Sequence, residues 1–239
     1  MNTRKVNAKQ CKMVAHRGCS GLEKENTLAA FIAAGNRSYW GVETDVHRTA
    51  DGEYVVIHDS ETGRVAGDNI VIENTSFEYI RSLRLKDIDG TRTRADLRIP
   101  TLREYIAICK KYEKNCVLEF KTVYTLEQVA EMVEIIKEEG WLEHVVFISF
   151  AYDNLLNLRK ILPGHPAQFL TGEYTDAMVE MIHKDKIDLD IYFSALDEEN
   201  IKHLHDLGII VNAWTVDDPE KAQQLIDWGI DYITSNICE

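Results

Sequence analysis

Short apolar, β-branched runs alternate along the chain with longer segments in which apolar positions recur every three or four residues. That alternation is the pattern of βα units and a parallel sheet. The short runs are Met13–His16, Gly41–His47, Tyr54–His58, Cys116–Lys121, Val145–Phe150, Ala167–Thr171, Leu189–Ser194, Ile209–Val216 and Asp231–Thr234. Nine strand candidates are one too many for an eight-stranded barrel, and connection length identifies the surplus. Only a few residues around Asp51-Gly52 separate Gly41–His47 from Tyr54–His58. A parallel crossover needs about a dozen, whereas Asp-Gly signals a hairpin. Tyr54–His58 is therefore expected to pair antiparallel with the second strand, leaving eight strands for a (β/α)₈ TIM barrel.

The intervening segments carry helix punctuation. Thr27 precedes Leu28–Asn36, Thr101 precedes Leu102–Tyr112, and Thr125 with Glu127 and Gln128 opens a helix running to Glu139 before Gly140. Further helices are expected at Asp153–Leu162, Asp176–Lys184, Asp197–Leu207 and Pro219–Trp228, and none after the last strand. The stretch Ser60–Ile99 breaks the rhythm. It reads as a small insertion after the hairpin partner, with a short helix opened by a capping box, Thr75-x-x-Glu78. The expected organisation is one barrel domain over 1–239, with 60–99 as a cap inside it.

A length of 239 residues suits one such barrel. No apolar run reaches the roughly 20 residues of a membrane helix, and the polar, basic Met1–Lys12 resembles no secretory signal. The five scattered cysteines form no C-x-x-C pair, which fits a reducing cytoplasm. The net charge of −13 argues against a nucleic-acid partner. Against that background, Arg81–Arg103 holds seven basic and three acidic residues. It is either a solvated face or a cap that attracts an anion.

Barrel enzymes place their chemistry at the C-terminal strand ends. Here those ends read His16-Arg17-Gly18, Glu43-Thr44-Asp45, His58-Asp59, Glu119-Phe120-Lys121, Ser149-Phe150 and Asn212-Ala213-Trp214-Thr215. Strand alternation puts Glu43 with Asp45, Glu119 with Lys121, and Asn212 with Trp214 on common faces, and turns Val42, Thr44 and Phe120 outward. Two inward carboxylates on one strand are costly to bury unpaired, and Lys121 alone cannot neutralise three. An all-oxygen set of Glu43, Asp45 and Glu119 suits a hard divalent cation, Mg²⁺ or Ca²⁺, with Mn²⁺ also possible. Counting outward from Asp51-Gly52 sets His58 opposite Asp45. His16 and His58 then converge on the carboxylates as an acid/base pair. His203-x-His205 falls within a helical pattern, where neighbours two apart diverge, so it is not expected to bind metal.

The ordered set His-Arg-Gly, Glu25-Asn26-Thr27, Glu-x-Asp, Asp-Gly before Val-Val-x-His-Asp, Pro100-Thr101-Leu102, Glu-x-Lys, Ser-Phe and Trp-Thr resembles the glycerophosphodiester phosphodiesterase family over nearly the whole chain. The resemblance implies that Glu43, Asp45 and Glu119 bind the metal and that His16 and His58 are general acid and base. It further implies that Arg17 and Lys121 hold phosphate oxygens and that Trp214 lines the alcohol pocket. The implied reaction cleaves a small-molecule glycerophosphodiester to glycerol 3-phosphate and an alcohol. Lys24 replaces a common proline, Phe120 a common aliphatic residue, and His47 a residue that is more often glutamine. Two other readings stay open: a phospholipase-like lyase that stops at a cyclic phosphate, and a non-catalytic barrel that binds phosphodiesters.

Overall fold

A computed structural model describes residues 2–239. Eight parallel strands close a ring: β1 (Lys12–Ala15), β2 (Gly41–Arg48), β4 (Asn115–Phe120), β5 (Val145–Ser149), β6 (Ala167–Thr171), β7 (Asp188–Tyr192), β8 (Val211–Trp214) and β9 (Tyr232–Ser235). Pairing runs β1-β9-β8-β7-β6-β5-β4-β2, and β1 pairs with β2 to complete the (β/α)₈ barrel. The ninth strand, β3 (Tyr54–Val56), pairs antiparallel with β2 outside the ring, as the short connection demands.

Around the ring lie α1 (Leu28–Gly35), α3 (Leu102–Lys111), α4 (Leu126–Glu138), α5 (Tyr152–Ile161), α6 (Asp176–Asp185), α7 (Glu198–Asp206) and α8 (Pro219–Asp227). Thr27 accepts a hydrogen bond from the Ala30 amide, and full capping boxes form at Thr101 with Glu104 and at Thr125 with Gln128. The outward strand faces pack on these helices through Val42, Val46, Leu118 and Phe120, with the Phe120 ring stacked on Phe147. A smaller cluster inside the ring holds Val14, Val117, Val146, Ile148 and Leu170.

Residues beyond β3 build a separate apolar cluster of Ile57, Val65, Ile72, Ile80, Leu85, Leu97 and Ile99 beneath the short helix α2 (Phe77–Ser82). The expected Thr75-x-x-Glu78 box does not form there. The Thr75 hydroxyl instead donates to the Val71 carbonyl, and Asp51 of the hairpin loop accepts from the Phe77 amide at 2.9 Å. A carboxylate from a distant turn thus satisfies the orphan helix amide.

The hairpin register also differs by one residue from the expectation. Val46 faces Val56 and the Ile57 amide donates to the Asp45 carbonyl, so Asp45 lies opposite Ile57 and not His58. The loop is not a two-residue Asp-Gly turn. The Thr49 amide donates to the Glu53 carbonyl, enclosing three residues, with Gly52 at φ 93° supplying the left-handed step. The turn centre therefore falls on Asp51, half a residue earlier than an Asp-Gly centre.

Candidate active site

Strand register assembles the carboxylates. Asp45 on β2 is the direct neighbour of Glu119 on β4, and the β1–β2 register continues past Ala15–Val42 to set His16 beside Glu43. Glu43, Asp45 and Glu119 are all buried, and one oxygen of each lies within 4.8 Å of the others. Burial together with the Asp45 charge pushes Glu119 up to about 8 and Glu43 well above the ordinary carboxyl value. Lys121, Arg17 and the Asn26 amide hold Asp45 in its ionised form despite its burial. The Lys121 ammonium bridges Glu119 at 3.0 Å and Asp45 at 3.4 Å, and these carboxylates keep it charged.

The loop after β1 supplies the remaining polar groups. Arg17 takes a left-handed φ of 53°, and its backbone amide donates to Glu43 at 2.8 Å. Gly18 follows at φ 76°, where a Cβ would come within 2.7 Å of Ala30. Only glycine fits both that angle and that approach. Buried Nε of Arg17 makes no hydrogen bond and stands 3.6 Å from Asp45, a charge contact only. Asn26 also takes a positive φ, and its side chain donates to Asp45 at 2.7 Å while accepting from Thr44 at 2.8 Å.

The two histidines are held differently. His16 Nδ1 faces Asn236 Oδ1 at 2.8 Å, and the Asn236 amide group donates to Asp217 at 2.6 Å. Because that oxygen can only accept, Nδ1 of His16 carries the hydrogen and Nε2 points its lone pair toward Glu43, 3.9 Å away. Burial lowers the His16 pKa to about 4. His58, beyond the end of β3 and so released from strand alternation, sets Nδ1 2.6 Å from the Asp59 carboxylate. Asp59 accepts from Arg64 at 2.6 Å, Arg64 grips Glu25 with both terminal nitrogens, and Glu25 reaches back to Arg17 at 3.0 Å. His47 is buried, with Nε2 3.2 Å from the His58 carbonyl and Nδ1 4.0 Å from Glu73, so it supports the loop carrying His58.

One cavity of about 90 Å³ at the C-terminal mouth gathers His16, Arg17, Glu43, His58, Glu119 and Trp214. Lys121 and Asp45 sit directly behind these through the contacts above. The Trp214 ring packs against Phe150 and Tyr192, both partly exposed, at 5.6 Å each. Sequence reasoning passed over Asp190, a buried carboxyl on the same cavity. Its signal was the Asp188-x-Asp190 alternation on β7, the same spacing as Glu43-x-Asp45 on β2. His203 and His205 diverge as expected, to Tyr174 and to Asp231.

Of the basic stretch, Arg81 pairs with Glu104, Arg94 with Glu23 and Asp96, and Arg103 with Glu138 and Glu139. Arg98 donates to carbonyls of residues 81–83. Those four arginines serve the packing of the segment on its neighbours. The five cysteines are free and buried.

A barrel mouth that concentrates carboxylates, imidazoles and fixed cations around a small cavity is built for polar chemistry on an anion. Residues 16–238 match the model of the glycerophosphoryl diester phosphodiesterase family, so the chain belongs to that family. A glycerophosphodiester phosphodiesterase of Caldanaerobacter subterraneus is 29% identical over 94% of this chain and 93% of its own. The structure of an Oleispira antarctica phosphodiesterase in complex with the product sn-glycerol 3-phosphate has a TM-score of 0.88 and 27% identity, covering 98% of this chain and 96% of that one. That of a Thermotoga maritima glycerophosphodiester phosphodiesterase has a TM-score of 0.76 at 28% identity, with 95% and 94% covered. No described helix is long and apolar enough to cross a membrane.

Proposed function

We propose that this enzyme cleaves small glycerophosphodiesters to glycerol 3-phosphate and an alcohol, with one divalent cation held by Glu43, Asp45 and Glu119. The observation that carries the reading is the buried three-carboxylate cluster with two histidines lining the same cavity. The donor set fits a cation. Without one, burial and mutual repulsion push two of the three carboxyls toward their neutral forms, and all the donors are oxygen, the choice of Mg²⁺, Ca²⁺ or Mn²⁺. When bound, the ion would act as a Lewis acid toward the phosphoryl oxygens.

The chain's own groups do the rest. Arg17 and Lys121 hold the phosphate and stabilise its developing charge. His16, neutral and with Nε2 unprotonated, takes the proton from the attacking oxygen. Burial lowers the His58 pKa, but the Asp45 and Asp59 carboxylates offset part of that loss, which suits it to hand a proton to the departing alkoxide. Trp214, with Phe150 and Tyr192, lines the path of the alcohol. Residues 60–99 serve as a cap within the single barrel domain, clasped to the mouth through Arg64.

The test is phosphorus NMR of the products from a panel of glycerophosphodiesters, each with magnesium, calcium or manganese. Accumulation of glycerol 3-phosphate is expected. A cyclic phosphate as the final product would assign the chain to a lyase reaction, and no turnover with any ion would leave only a binding role.

A further inference from the structure

Across the ring from the carboxylates of β2 lies β7, four strands away in either direction. Its inward residue, Asp190, is 1% exposed and belongs to the lining of the active-site cavity. The reaction described above gives it no role. Its Oδ1 has no hydrogen-bond partner, although an unpaired buried polar atom is destabilising. Its neighbours on the cavity wall include the apolar Ile148 and Leu170, and the Asn212 side chain beside it on β8 acts on the carboxyl but leaves Oδ1 unpaired. Among the described residues, the carboxyl group falls outside the cluster able to hold a cation. A costly group kept on a cavity wall with one oxygen unpaired is explained by a partner that arrives with the substrate.

The size of the space narrows that partner. The cavity of about 90 Å³ must also take the phosphate beside Arg17, so only a small polar group can reach the β7 wall. Glycerol is the constant part of every substrate in the class, so the buried β7 wall of the cavity suits it, while the variable alcohol suits the side near exposed Phe150 and Tyr192. The apolar wall matches the carbon chain, and the carboxyl matches a hydroxyl. With the phosphate held at Arg17 and Lys121 on the other side, the group that reaches farthest across the ring is the terminal primary hydroxyl.

We propose that Asp190 is a specificity-determining residue that hydrogen-bonds the terminal hydroxyl of the glycerol moiety. The inference rests on the glycerophosphodiester reading of this site. Its chemical consequence is selection for a free glycerol end. An ester or hydrogen in place of that hydroxyl leaves the Asp190 oxygen unpaired, and an acyl chain overfills the cavity. Burial raises the Asp190 pKa well above the ordinary value against the opposing contact with Asn212, and a neutral carboxyl can both donate to and accept from an uncharged hydroxyl.

The test measures binding by calorimetry, with saturating magnesium or calcium, of sn-glycerol 3-phosphate and of 2-hydroxypropyl phosphate, which lacks only the terminal hydroxyl. Wild type is expected to prefer the first by about 10- to 100-fold, the usual penalty for leaving a buried polar group unpaired. Asp190→Ala should bind the two within about two-fold of each other. Asp190→Asn, which keeps an acceptor, should restore part of the preference, and both variants should melt no lower than wild type, since an unpaired buried carboxyl is removed. The same ratio should appear in kcat/KM for the matching diesters. A wild type that binds both equally, or an Asp190→Ala variant that keeps the wild-type ratio, overturns the subsite alone. A wild type that neither binds glycerol 3-phosphate nor hydrolyses any glycerophosphodiester overturns the function on which the subsite rests.

Discussion

Nδ1 of His16 meets the neutral amide oxygen of Asn236 at 2.8 Å, an uncharged support for a histidine in a site full of charges. The contact fixes the tautomer and raises the basicity of the ring by less than burial lowers it. Asn236→Ala should therefore lower kcat by about ten-fold while leaving KM nearly unchanged, because the lost function is orientation of one proton acceptor. A KM effect without a kcat effect would show that Asn236 serves binding instead.

His58 has the opposite support, and pH should reveal it. Removing the Asp59 charge by Asp59→Asn destabilises the imidazolium, which lowers the His58 pKa. Since His58 must be protonated to act as the acid, the alkaline limb of the kcat/KM profile should move to lower pH. An unmoved alkaline limb would contradict the assignment of His58 as acid.

Truncation of either histidine should cost about 10²–10⁴-fold in kcat, or roughly 3–5 kcal/mol of barrier lowering. The double variant should be little worse than either single one, because one proton transfer is idle without the other. Additive losses in the double variant would indicate two independent roles.

Metal binding should release protons. With Glu119 raised to about 8, it is largely protonated at pH 7 without a cation, burial shifts Glu43 in the same direction, and a cation binds only the ionised forms. Affinity should thus climb with pH until about 8 and then level off. Calorimetry in buffers of different ionisation heat counts the protons directly, and a count of zero at pH 7 would refute the ligand set. Chelation should abolish activity, and Glu119→Gln should weaken metal affinity without unfolding the chain.

The attacking oxygen can be identified chemically. The 2-hydroxyl of glycerol is a built-in nucleophile, and well-oriented neighbouring groups reach effective molarities on the order of 10⁵–10⁸ M. On this path His16 removes the hydroxyl proton, the new O–P bond forms as the alcohol's O–P bond breaks, and His58 protonates the alcohol. Water then opens the cyclic 1,2-phosphate with the histidines exchanging roles. A substrate lacking the 2-hydroxyl should be hydrolysed far more slowly, and rapid quenching should trap the cyclic ester. Equal rates for the two substrates would assign the attack to water.

Much of this architecture was legible in the chain because strand alternation and βα spacing are local. The inward faces Glu43–Asp45 and Glu119–Lys121, the surplus hairpin strand and the threonine caps all follow from residues within a turn or two of each other. The failures have causes that no sequence motif displays. Asp-Gly occurs in two-residue and three-residue loops alike, and only the Thr49–Glu53 pairing, absent from any local pattern, sets the turn centre and shifts His58 by one position. Thr75 was displaced as a helix cap by Asp51, a residue 26 positions before the Phe77 amide that it accepts from. The Asp188-x-Asp190 spacing alone assigns Asp190 no role, and its significance lies in the oxygen left unpaired.

The hairpin that carries β3 hangs outside a ring whose hydrogen bonding is complete without it, and the segment beyond it has its own apolar cluster. Lineages can therefore lengthen, shorten or rewrite residues 60–99 while the eight-membered ring keeps its register, so long as Arg64 still bridges Asp59 and Glu25. Natural variation should accumulate there as swappable decoration, letting the range of alcohols diverge between descendants while the inherited chemistry stays constant.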